Sequence, residues 1–156
     1  MPLISDQSGE FAIDKRQSEL AMAIRTGILR GFGESDWVFV PEITLANGRR
    51  ADLVALDGKG VIRIIEIKSS IADFKSDKKW HEYRDYCDAF YFASHPDVPG
   101  EIFPEDEGFI LADSYGCHIV REAKDQKLSG PTRKALTLRI ARIAAERLTR
   151  YTLHEI

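Results

Sequence analysis

Apolar residues recur at positions 13, 20, 24 and 28 of EFAIDKRQSELAMAIRTGILRG (10–31), which is helical spacing, with Gly31 and Gly33 as the stop. WVFVPEIT (37–44) predicts a strand whose Pro41 confines it to a sheet edge or a bulge. RADLVAL (50–56) and VIRIIEI (61–67) are rich in β-branched residues and are separated by Asp57-Gly58-Lys59-Gly60, the signature of a hairpin. Over 71–88, Trp80, Tyr83 and Cys87 fall at i, i+3 and i+7, so the segment predicts one helix, with Ser76 as a candidate cap. AFYFAS (89–94) is a short apolar run suited to a strand covered on both faces. A Pro- and Gly-rich loop (95–108), acidic in its second half, precedes a second hairpin made by GFILAD (108–113) and CHIVRE (117–122). Pro131 opens a last helix to about residue 150, with Leu136, Ile140, Ile143 and Leu148 as its inner stripe. The order α-β-β-β-α-β-β-β-α predicts an α/β fold, a mixed sheet flanked by helices.

At 156 residues the chain is one domain, 1–156, long enough to bury a core without a disulfide or structural metal. Cys87 and Cys117 are read as buried free thiols, and the histidines show no zinc spacing. The start MPLISDQSGEF lacks the basic and apolar regions of a secretion signal, and no apolar run is long enough for a membrane span, so a cytoplasmic, non-membrane protein is expected. The net charge of −3 excludes a surface uniformly coated in positive charge. Residues 131–156 nevertheless hold six Arg and Lys against two Glu, so any nucleic-acid contact must use a local patch.

Candidate chemistry lies on the first hairpin. Glu66 and Lys68 are two apart in a strand, so they project from one face about 6.6 Å apart. Folding over the 57–60 turn brings Asp52 opposite residue 65 or 66. A carboxylate in an otherwise Val- and Ile-rich strand is costly unless it is paired or metal-bound. Two readings follow: an ion pair of Lys68 with Glu66 or Asp52 that holds the sheet register, or a carboxylate pair for a hard cation such as Mg²⁺ acting on phosphate.

A first helix, Asp52 on the second strand, and Glu66-Ile67-Lys68 ending the third, followed by a helix and a strand, resemble the PD-(D/E)xK nuclease superfamily. This resemblance implies a restriction-endonuclease-like fold. It further implies that Asp52, Glu66 and the Ile67 carbonyl hold Mg²⁺ or Mn²⁺ while Lys68 serves the nucleophile. Many members add a glutamate on the first helix, and Glu19 stands at the matching place. Ala51 replaces the proline that nominally precedes the aspartate. More narrowly, EIKSSIADFKSDKKWHEYRDYCDAFYFA (66–93), with RRADLVAL, is similar to the MmcB family of bacterial DNA-repair endonucleases, over about residues 10 to 150. The family implies DNA repair and a nuclease-type fold, so the leading expectation is a metal-dependent DNA phosphodiesterase, an endonuclease acting in repair. The alternative, favoured by the net negative charge and small size, is a nuclease fold used for DNA binding or recruitment with little catalysis. DNA is the implied partner, with a homodimer or a repair-protein partner beside it.

Around this core, Arg49, Arg50, Lys78 and Lys79 are candidate contacts to a DNA backbone, with solvated surface charge as the alternative. Ser69 and Ser70 either meet phosphate or cap the next helix, capping being favoured. Trp80 and Tyr83 read as core over base stacking. The basic residues of the last helix form a candidate phosphate-tracking stripe, and the acidic loop 101–107 is expected to lie away from DNA.

Overall fold

The computed structural model describes residues 7–154, with side chains along the first helix from residue 18 onward. Residues 1–6 and the side chain at position 13, both read above from sequence, lie outside the described residues. Helix α1 (Gln7–Gly31) leads into strands β1 (Val38–Thr44), β2 (Arg50–Leu56) and β3 (Ile62–Ile67). A short helix, α2 (Ile71–Ser76), and a 3₁₀ segment (Trp80–Tyr86) connect to β4 (Ala89–Ser94). A single 3₁₀ turn (Gly100–Ile102) then precedes β5 (Gly108–Asp113), β6 (Gly116–Arg121) and α3 (Gly130–His154).

The six strands form one sheet in chain order. β1, β2 and β3 are antiparallel, β3, β4 and β5 are parallel, and β6 returns antiparallel. Pro41 therefore lies on an edge strand, and every residue of the central β4 is buried. α1 packs on one face over Leu53, Ile65, Tyr91 and Ile110. The 3₁₀ segment and α3 cover the other face, over Val54, Ile64, Phe90 and Phe92. Trp80 and Tyr83 belong to that second core, as their spacing predicts.

Three sequence readings are corrected. The 71–88 region is not one helix, because the Asp77 N–H bonds back to Phe74 O at 3.2 Å and the Asp77 carboxylate takes the Lys79 N–H at 2.9 Å. These bonds end α2, and a three-residue spacing such as Trp80–Tyr83 serves a 3₁₀ turn as well as an α-helix. Ser76 is the last residue of α2, not a cap; Ser70 caps it by accepting the Asp73 N–H at 2.9 Å. On α3, Leu136 and Ile140 are buried and Ile143 partly so, but Leu148 is 65% exposed. The position that faces the sheet one turn beyond Ile143 is Arg147, whose guanidinium bonds the Pro41 and Glu42 carbonyls of the edge strand.

Two acids of the 101–107 loop are paired within the fold. Glu107 is buried and ion-paired with Arg84, Asp106 meets Lys124 at 3.2 Å, and Arg121 donates to the carbonyls of Glu107 and Pro104 at 2.7 and 2.8 Å.

Candidate active site

The β2–β3 ladder is regular from Leu56↔Ile62 to Leu53↔Ile65, and the same register sets Asp52 opposite Glu66. At that point side chains replace the backbone ladder. The Asp52 N–H donates to Glu66 Oε1 at 3.0 Å, and the Ile67 N–H donates to Asp52 Oδ2 at 2.8 Å. Each carboxylate thus takes a backbone donor from the facing strand, which keeps two acids side by side where the strands part.

Lys68 follows on the β4 side. Its N–H bonds Ala93 O at 2.9 Å and its carbonyl accepts the Ser94 hydroxyl at 2.7 Å. Its ammonium donates to Asp77 Oδ2 at 2.8 Å. Glu66 and Lys68 are 4% and 6% exposed, whereas Asp52 is half-buried. Burial pushes the Asp52 carboxyl up, more than the Ile67 N–H and the Lys68 charge pull it down. Glu66 is pushed well above the carboxylate range by burial first and by the charge of Asp52 second. Burial also raises Asp77, but Lys68 and the Lys79 and Trp80 amides outweigh it and hold that carboxyl below its ordinary value. Tyr83, raised by burial and then by the charges of Glu66, Asp52 and Asp77, donates its hydroxyl to Arg50 O at 2.9 Å. Asp52, Glu66, Lys68, Asp77 and Tyr83 therefore share one electrostatic neighbourhood.

The remaining sequence candidates are dispersed around it. Asp52 and Ile67 line a cleft of about 270 Å³ beside α1. Glu19 lines a different cavity of about 620 Å³, with Ser69, Ser70, Asp97 and Val98. Ser69 is buried, and its N–H bonds Asp73 Oδ2 at 3.0 Å. Arg49 is ion-paired with Glu82, while Arg50, Lys78 and Lys79 are exposed. On α3, Arg133 holds Asp88 and Arg139 bonds Thr44 O at 2.5 Å, and with Arg147 on the edge strand these three do not form a phosphate-tracking stripe. Asp77, the acid that holds Lys68, carries no recognisable signal in sequence. It meets Lys68 only because α2 ends at Ser76.

Among the described residues no three His, Cys, Asp or Glu side chains group as a metal site. The donor set at the head of the hairpin is thus two adjacent carboxylates and the Ile67 peptide, whose carbonyl points to the same side of the strand as its Asp52-bound N–H. That set fits Mg²⁺ or Mn²⁺, which take one or two carboxylates and leave other positions to water and phosphate.

Comparison with known proteins agrees with the architecture. A protein of unknown function from Silicibacter pomeroyi is 38% identical, with a TM-score of 0.83 over 87% of this chain and 93% of its own. No curated protein matches. Among the described residues no helix is long and apolar enough to cross a membrane. The family model for MmcB-like DNA repair proteins matches residues 8–155, nearly the whole chain, and the protein belongs to that family.

Proposed function

We propose that this DNA repair protein is a Mg²⁺- or Mn²⁺-dependent DNA phosphodiesterase of PD-(D/E)xK type, with its site at the open end of the β2–β3 hairpin. The observation that supports this most is the pairing of Asp52 with Glu66: both carboxyls are raised by burial and both lie in the field of the Lys68 ammonium. Two desolvated acids held together are unfavourable unless a proton or a cation joins them. Asp52, Glu66 and the Ile67 carbonyl would hold the ion. A cation held by these groups would neutralise charge on the phosphodiester and lower the pKa of a water bound to it. Lys68 keeps its ammonium in place through Asp77, leaving two N–H donors to orient a water and a phosphate oxygen. Glu19 belongs to the neighbouring cavity and is assigned no part in the ion's ligand set.

The test is a panel of labelled DNA structures with Mn²⁺, comparing wild type with Lys68→Ala. Cleavage is expected to fall at least about a hundredfold, within what electrostatic groups at such sites contribute. Because Asp77 then loses its cation, stability falls by about 1–3 kcal/mol, so folding is verified by circular dichroism. Cleavage at the wild-type rate in the folded variant refutes the role of Lys68.

A second reading, a nuclease fold that binds DNA or recruits other repair proteins without cutting, draws support from the small exposure of Glu66 and Lys68 and from the tie of Lys68 to Asp77. Salt-dependent DNA binding with no cleavage by wild type in Mn²⁺ selects it.

A further inference from the structure

The cleft that carries Asp52 also holds a cation that the arrangement above leaves unused. Arg25, on α1, lines this cleft together with Ser18, Met22, Glu42, Asp52 and Ile67. It is half-buried, and among the described residues its guanidinium has no hydrogen-bond or ion-pair partner. Of the other cations around the site, Lys68 is committed to Asp77, Arg49 to Glu82 and Arg147 to the edge-strand carbonyls, while Arg50 is exposed and lines no part of this cleft. An uncommitted guanidinium in a cleft is free to bind, and its planar fork matches phosphate oxygens.

The shape of the cleft mouth points the same way. The β1–β2 pairing runs Pro41↔Leu53 and Ile43↔Ala51, which sets Glu42 opposite Asp52, yet that pair is absent from the ladder. Glu42 has φ = 53°, the left-handed region that a residue with a side chain seldom adopts. Arg147 grips the carbonyls of Pro41 and Glu42 from α3 and so holds this turned backbone in place. The ladder is thereby interrupted beside Asp52 with its register unchanged on either side, and Glu42 and Asp52 both line the cleft there.

We propose that Arg25 holds a phosphate of the DNA backbone in this cleft, next to the position served by Asp52 and Glu66. The inference rests on the proposed DNA-processing function and adds to it the group that anchors the substrate. The charges lining the cleft set a condition. Arg25 stands against Glu42 and Asp52, one cation against two acids, so phosphate enters favourably only when a divalent ion neutralises the Asp52 side. Arg25 therefore contributes to DNA affinity when divalent ion is present and little without it.

The test uses the full chain and fluorescently labelled duplex, single-stranded and four-way-junction DNA. Binding is measured by anisotropy in Ca²⁺, where gels confirm that the DNA stays intact, and again in EDTA. In Ca²⁺, Arg25→Gln is expected to weaken binding about tenfold and to reduce the slope of log affinity against log salt by about 0.9 on duplex, the value for one lost phosphate contact. Arg25→Lys is expected to recover most of the affinity and the slope, while the melting temperature of either variant stays within about 1 °C of wild type, since no partner is lost. A purely structural role for Arg25 would not move the salt slope. If wild type binds DNA and Arg25→Gln matches it in affinity and slope, the phosphate role of Arg25 is refuted and the function proposed above stands. If wild type binds none of the DNA probes, both fall together.

Discussion

The Asp88 carboxylate is the knot that ties α3 to the sheet, and its removal has a calculable cost. It accepts the N–H of Ile62 at 2.8 Å and of Leu128 at 2.9 Å, and both guanidinium nitrogens of Arg133 at 2.5 Å. Burial by itself would raise this carboxyl, but Arg133 and the two amides prevail and lower it to about 2 from an ordinary 3.8. That difference corresponds to about 2.5 kcal/mol in favour of the charged folded state. Because the folded value is depressed, the contribution is complete above the unfolded value of 3.8 and is lost as pH falls through about 2. Asp88→Asn keeps some acceptor capacity but leaves Arg133 without its counter-charge. It should therefore cost about 2.5 kcal/mol at pH 7, read from urea unfolding. On linkage arithmetic the gap between wild type and variant falls to about 1.3 kcal/mol at pH 3. A gap that stays constant from pH 7 to pH 3, or one below about 1 kcal/mol at pH 7, would show that the Asp88–Arg133 contact does not carry this stability.

Two further outcomes follow from the site and from the docking of α1. Because the Asp52 and Glu66 carboxyls are both raised, the folded metal-free protein holds protons that the unfolded chain releases, and its stability falls as pH rises through the pair's folded values. Asp52→Asn retains an acceptor for the Ile67 N–H but removes one acid, so its melting temperature should decline less with pH than that of wild type, and the stabilisation by Mn²⁺ should vanish; parallel pH curves, or an unchanged Mn²⁺ effect, would sink this account. On α1, a Cβ at Gly27 would lie 1.7 Å from Asp113 O and 2.7 Å from Gly116 O. Helix propensity alone favours alanine there by about 1 kcal/mol, yet Gly27→Ala should destabilise by about 3 kcal/mol in urea unfolding, because both obstacles are backbone; a stabilised variant would contradict the packing of α1 on the β5–β6 turn.

Much of the architecture is legible in the chain because it is encoded over a few residues at a time. The element order, the edge position implied by Pro41, the full burial of 89–94 and the cap at Ser70 all depend on spacing or stereochemistry within one turn or one strand. The meeting of Asp52 with Glu66 belongs with these, since a short hairpin turn leaves only one residue of freedom in register. What lies beyond is tertiary. Whether 71–88 is one helix depends on Asp77, whose side chain serves both the Lys79 amide and the distant Lys68. Arg147 displaces Leu148 from the inner face because the edge strand offers it carbonyls there, a contact between residues about a hundred positions apart. Glu19 and Arg25 lie on the same helix and line different cavities, and the docking angle of α1 on the sheet decides which of them shares a cleft with Asp52. Periodicity identifies the faces that must be buried, because burial follows local geometry. The partner of each charge is settled only when distant segments meet, because an ion pair or hydrogen bond requires a distance that no local pattern records.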